Sequence, residues 1–293
     1  MTIFVQTVLG GLLLGGVYSL VSAGLALSFG VTNIVDFAHG DFVTVGMYVA
    51  VVLGGAGIGP LLSAPVAAIV VALFGILIYT TALRRVVDRP QDTSDARHVP
   101  QLVVTFALGI VIQNALLLGF GPDQRTTPGG GHVLMLGPFT LDRAQLIAFC
   151  LAVTILGLLL ITLRSTPLGR VISAVVDDQE VVTLLGIRSG RLLPLVFAVG
   201  LGLTGFAGSV ISSYFPAAPA SGLSFMTIAF IAVVLGGMRN VLGAVVAAPL
   251  IGITQQITAT YLSPEIANLG VYAVFITVLL VRPHGLFGLK GLA

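Results

Sequence analysis

The chain has 293 residues, of which 57% are hydrophobic and only 8% charged, with a net charge of +2. A soluble domain carries about 25% charged residues, and no water-exposed fold of this length can hide so much apolar surface. That excludes an ordinary soluble domain. The absence of a basic stripe speaks against nucleic acid as a partner.

In chain order, apolar stretches long enough to cross a bilayer recur. The first runs from Ile3 to Phe29. It lacks a basic n-region and is too long for a signal h-region, so it reads as a retained span. Phe42–Gly59, Leu61–Leu83, Gln101–Phe120 and Ala144–Leu163 follow, then Leu192–Tyr214 and Ala267–Val281. The stretch Phe225–Ile257 is interrupted by Gly236, Gly237, Arg239, Asn240 and Gly243, and suits two passes or one pass plus a re-entrant element. The expected fold is an all-α polytopic transmembrane bundle of eight or nine passes, with room for a re-entrant or broken segment. It forms a single domain over 1–293.

Basic residues set the orientation. Arg84, Arg85, Arg89 and Arg97 follow the third span, and Arg164, Arg170, Arg188 and Arg191 follow the fifth. The positive-inside rule places both loops in the cytoplasm, with Arg282 and Lys290 after the last span, and the loop Gly121–Arg143 outside. Counting back through three spans puts the N-terminus outside. Gly11 and Gly15, and Gly202, Gly205 and Gly208, put small residues at helical spacing, which lets helices approach closely in lipid. The lone Cys150 reads as a small core residue.

Polar residues within this apolar background are the candidate site. Asp36, His39 and Asp41 form the densest ionisable group, beside Asn33. Such residues in or near hydrocarbon face a bundle interior or a water-filled cavity. They read either as lining of a translocation path and its gate, or as caps and interhelical bonds, with Asp36 capping a helix from Phe37. Thr105, Gln113 and Asn114 in the fourth span carry the same two readings, pore lining or interhelical glue. No second His or Cys stands at zinc-ligand spacing. No Gly-x-Ser-x-Gly accompanies His39, so no catalytic constellation emerges. The loop from Thr166 to Arg191 opens with Pro167 and Gly169. It pairs an apolar side (Val171, Val175, Val176, then Val181, Val182, Leu184, Leu185) with a polar bend, Asp177, Asp178, Gln179 and Glu180. Gly186 can end its helix. No Walker A stretch occurs in the chain.

Several segments together resemble one family, the permeases of ABC importers for branched-chain amino acids. They are Gly16-Val-Tyr-Ser-Leu20 with Asn33-Ile-Val-Asp-Phe-Ala-His-Gly-Asp41, then Gly169 to Ile187, Ala232 to Ala244 and Val281 to Gly288, supported by Gln113-Asn114 and Gly121–Arg125. Asp36 departs from the pattern, standing where the family usually has Asn. The resemblance implies a multi-pass protein of the bacterial inner membrane and not an enzyme. It implies a second homologous permease, two cytoplasmic ATPases and an extracytoplasmic binding protein as partners. No cofactor is expected in this chain, ATP and Mg being used by the ATPases. The loop around 166–191 would be the coupling element that docks into an ATPase, with Gly169, Arg170, Asp177, Asp178, Gln179, Glu180 and Gly186 in it. A branched-chain or other hydrophobic amino acid is the expected substrate. Urea, amides and aromatic acids remain alternatives within the permease type, and a secondary transporter or channel lies outside it.

Overall fold

A computed structural model describes residues 1–32, 36–84, 98–127, 133–136, 139–177, 182, 189–283 and 285–287. Its helices in chain order are α1 (Thr2–Thr32), α2 (His39–Gly55), α3 (Pro60–Ile78), α4 (His98–Phe120), α5 (Arg143–Ser165), α6 (Pro167–Asp177), α7 (Ser189–Ile211), α8 (Gly222–Gly236), α9 (Val241–Tyr261) and α10 (Ala267–Val281). A five-residue π-helical segment, Tyr79–Leu83, prolongs α3. Short 3₁₀ turns, Pro219–Ser221 and Pro264–Ile266, lead into α8 and α10. Among the described residues, eight helices, counted with these extensions, are long and apolar enough to cross a membrane. The protein is therefore a multi-pass helical membrane protein. The stretch Phe225–Ile257 resolves into two helices, split by Gly237, whose φ of 99° suits a residue without Cβ.

The ninth candidate, α2, has 17 residues. At 1.5 Å per residue it covers about 25 Å, short of the ~30 Å of a hydrocarbon core. Its first residue, His39, lies against Val21 in α1 and not against the end of α1 at Thr32. α2 thus begins inside the bundle, beside the body of α1.

Glycines set the helix pairing. A Cβ on Gly11 would fall 2.6 Å from the Cα of Ile253, and one on Gly15 would fall 2.5 Å from the Cα of Pro249, so α1 and α9 touch backbone to backbone. Since residue numbers rise on α1 as they fall on α9, the two run antiparallel. Gly205 meets Val71, and Gly75 meets Leu201, so α3 and α7 are antiparallel too. In lipid no hydrophobic drive joins helices, and close contact of this kind supplies the dispersion attraction instead.

The two ends of the bundle differ. At one end, Leu27 near the close of α1, Leu83 at the end of the π segment, Val175 in α6 and Leu193 in α7 share one apolar cluster. This is the end where Arg84, Arg164 and Arg170 lie. At the other end, the side-chain amide of Gln6 donates to the Thr140 hydroxyl at 2.6 Å, and the backbones of Arg125 and Ala217 pair. There the loop forms a hairpin, Val133–Leu136 against Phe139–Asp142, which the sequence pattern does not predict. N-terminus and Gly-rich loop therefore share the end opposite the arginines. The positive-inside rule makes that end extracytoplasmic.

One expectation fails. Cys150 is exposed on α5 and is not a core residue. Every position around that helix is apolar or small there, so composition does not reveal which side meets lipid.

Candidate functional site

The polar group foreseen near the second span divides into a sealed part and an open part. His39 and Asp36 are sealed, at 0% and 1% exposure. The His39 ring lies between α1 and α7, its Nε2 standing 3.1 Å from the Val21 carbonyl and 2.8 Å from the Thr204 hydroxyl. A carbonyl can only accept, so Nε2 carries the hydrogen. Thr204 donates to the Gly200 carbonyl at 3.0 Å, which leaves its oxygen free to accept from the ring. Two glycines make the space: a Cβ on Gly24 would sit 2.5 Å from the Gly200 carbonyl oxygen and 2.6 Å from the Thr204 hydroxyl.

The other face of the ring turns to Asp36. Nδ1 and Asp36 Oδ2 are 3.9 Å apart, beyond hydrogen-bond length, and neither has a partner among the described residues. Asp36 Oδ1 accepts the Ala38 N–H at 3.1 Å. One of the two readings makes Asp36 the cap of a helix starting at Phe37. The helix starts at His39 instead, and Asp36 holds the turn that precedes it. Asn33 lies outside the described residues.

Asp41 is the open part. It is half-buried, and it has no hydrogen-bond or ion-pair partner among the described residues. Its carboxylate fits between two helices because both present glycine: a Cβ on Gly109 of α4 would fall 2.6 Å from Oδ2, and one on Gly222, the first residue of α8, would fall 2.9 Å from the Asp41 Cα. The start of α8 offers the positive end of a helix dipole, worth about 0.3–1 kcal/mol. Removing a carboxylate from water in this setting costs several kcal/mol. The helix end offsets only a fraction of that.

On α4, Thr105 is buried and its hydroxyl lies 3.1 Å from the Gln101 carbonyl. Gln113 and Asn114 are exposed. Asn114 donates back to the Ile110 carbonyl at 2.8 Å, and Gln113 has no hydrogen-bond partner among the described residues. Neither bonds to another helix among the described residues. Sequence reasoning missed Thr204, Gly109 and Gly222 as parts of the site. The repeated glycines of the sixth span were the only hint of α7. Missed as well was a polar contact toward the extracytoplasmic end, where Gln255 donates to Asn268 at 3.0 Å, beside a cavity of about 130 Å³ lined by Ser224, Thr227 and Tyr272.

α6 follows α5 after a break at Thr166, whose hydroxyl accepts the Gly169 N–H at 3.1 Å. A Cβ on Gly169 would fall 2.6 Å from the Leu163 Cα, so glycine permits this fold-back. Val175 is buried and Ile172 and Val176 half-buried, while Leu168, Arg170, Ser173 and Ala174 are exposed. The helix lies across the arginine-bearing end with one face outward. Asp177 closes it, and Asp178, Gln179, Glu180 and Gly186 lie outside the described residues.

A multi-pass bundle with an amphipathic helix across one end, and polar groups at the start of a short second helix, has the makings of a membrane transport component. The comparisons with known proteins give the family. The family described as branched-chain amino acid transport system / permease component matches residues 7–279, and the chain belongs to it. The chain is 30% identical to the high-affinity branched-chain amino acid transport system permease protein LivH of Escherichia coli (strain K12), across 97% of this chain and 96% of that one. It is 24% identical to the permease protein LivM of the same organism, covering 92% of this chain and 67% of that one. Among solved structures, a chain of PsaBC from Streptococcus pneumoniae in complex with Fab shares the fold, with a TM-score of 0.51, 12% identity, and coverage of 95% and 93%.

Proposed function

We propose that this chain is the membrane-spanning permease of an ATP-driven importer, and that it moves a branched-chain or other hydrophobic amino acid across the inner membrane. The match to the permease family over nearly the whole chain carries the reading. A second permease subunit completes the path. Similarity to both LivH and LivM supports a pair of related but distinct chains. Two cytoplasmic ATPases supply the energy, consuming ATP and Mg, and an extracytoplasmic binding protein delivers the solute. The permease itself is not an enzyme.

The outward face of α6 is the coupling surface. It sits on the arginine-bearing end, carries the exposed Leu168, Arg170 and Ala174, and is braced by Val175 against the ends of α1, α3 and α7. Closing of the ATPases would push this helix, and α5 and α1 would pass the motion to the bundle, since both pack against α6.

Ala174→Cys in a Cys150→Ser background tests the arrangement. The new thiol should crosslink to an ATPase subunit and resist an impermeant reagent added to intact cells. Labelling from outside would sink the topology. In proteoliposomes, uptake of leucine should require ATP, the ATPases and the binding protein, and the chain alone should hydrolyse no ATP. Uptake driven by a proton or sodium gradient without ATP would favour a secondary carrier. Uptake of urea, amides or aromatic acids in preference to leucine would keep the class and change the substrate.

A further inference from the structure

Among the described helices other than α6, Asp41 is the single acidic residue, so the carboxylate is an isolated choice in an apolar setting. It differs from Asp36, which is sealed and bonded to the turn it shapes. Asp41 is half-buried, unpaired among the described residues, and lies where α2, α4 and α8 meet.

The room for it is built from both sides. Gly109 and Gly222 come from two different helices, and a Cβ on either would crowd Asp41. Two glycines that accommodate one carboxylate hold it in a defined place at the surface of the bundle. The beginning of α8 steadies the negative charge only in part. A cationic partner would offset the remaining cost, and none of this chain's described side chains supplies one. The rim is apolar: Phe37, next to Ala38 at the same contact, is 43% exposed, and Phe106, one turn before Gly109, is 61% exposed. An anion inside an apolar rim suits a ligand with a cationic head and a hydrocarbon body.

We infer that Asp41 is the counter-ion for the ammonium group of the transported amino acid, at the place where α4 and α8 flank it. The inference rests on the amino-acid importer reading above. It adds to it a specificity-determining residue: the carboxylate selects the ammonium, and the apolar rim takes the side chain.

The test uses the complete transporter, with its second permease and ATPases, purified as wild type, Asp41→Asn and Gly109→Ala. Asparagine keeps the shape and removes the charge. The alanine methyl keeps the charge and displaces it. In proteoliposomes with the binding protein, leucine uptake should fall at least about tenfold in both variants. A second measurement does not depend on turnover. Titrated without the binding protein, the wild-type complex should hold L-leucine about tenfold more tightly than its 2-hydroxy analogue, which lacks the ammonium. Asp41→Asn should bring the two within about twofold. Wild-type leucine uptake by Asp41→Asn overturns the inference alone, as does undiminished discrimination by that variant. Loss of assembly in Asp41→Asn would assign the carboxylate to a contact with another subunit, which also overturns it. Failure of the wild type to move leucine would remove the importer reading, and the inference with it.

Discussion

Replacing His39 separates a structural pin from a transport residue. The ring is fully buried and holds the start of α2 against both α1 and α7 through a single nitrogen. His39→Ala empties the volume of an imidazole and removes both contacts. Large-to-alanine changes at packed sites cost about 2–5 kcal/mol, and a polar contact between membrane helices adds roughly 0.6 kcal/mol. Thr204 keeps its own bond to the Gly200 carbonyl, which limits the loss. A net of about 3–5 kcal/mol follows, on the order of 6–20 °C in melting temperature. Glutamine extends an N–H donor to about the position of Nε2, so His39→Gln should recover most of this stability. Thermal unfolding of the purified transporter and leucine uptake, measured on one preparation, read both effects. If His39 is a pin, uptake should track stability across the two variants. A stable His39→Gln that moves no substrate would refute that and give the ring a role in transport. A stable His39→Ala would refute the energetic argument itself.

Gly15→Val should abolish accumulation of folded protein, because the added carbons would meet the Pro249 backbone and α9 cannot retreat without losing its contact with α1. Gly157→Ala in α5 is the control: nothing lies within 4 Å of its new Cβ, and it should stabilise by about 0.5–1 kcal/mol through helix propensity. Equal yields of the two variants would contradict the packing drawn here. Asn240 caps α9 by accepting the Gly243 N–H at 3.0 Å, and its amide donates to the Phe287 carbonyl at 3.2 Å. Asn240→Ala should cost about 1 kcal/mol and raise protease sensitivity near the C-terminus. An unchanged digestion pattern and melting temperature would show that neither bond matters.

The spans were legible because twenty apolar residues in a row have few other uses. Their edges were less so. α2 was read from Phe42 because His39, Gly40 and Asp41 lower the local hydropathy, yet those residues form its first turn. The hairpin at Val133–Asp142 was missed because its strands are four residues each and lie in a loop read for its glycines and charges. The amphipathic face of α6 was readable, since its apolar residues recur at helical spacing against a polar remainder. Around Cys150 no such contrast exists. At the site, three ionisable residues in an apolar chain announced themselves. That Asp36 and His39 are sealed while Asp41 is open depends on Thr204, Gly109 and Gly222, which come from distant helices. No local pattern ties them to residues 36–41.

The distribution of polar side chains separates two kinds of exposed surface. On α5 the exposed positions Val153, Leu158 and Ile161 are apolar, and Thr154 and Thr162 return their hydroxyl hydrogens to the carbonyls of Cys150 and Leu158. Such a face asks nothing of its surroundings and suits hydrocarbon. α4 differs. Gln113 follows Gly109 by one helical turn, and Gly109 is the residue against which Asp41 rests. An unanswered amide and an unanswered carboxylate thus stand near one another on the same side of the bundle. Leaving an amide without a partner in hydrocarbon costs several kcal/mol, and an unpaired carboxylate costs more. The described side chains of this chain do not meet that demand, which leaves it to water, solute or a second subunit. The surface beside α4 is therefore the one that calls for a partner, whereas the exposed face of α5 is complete as it stands in lipid.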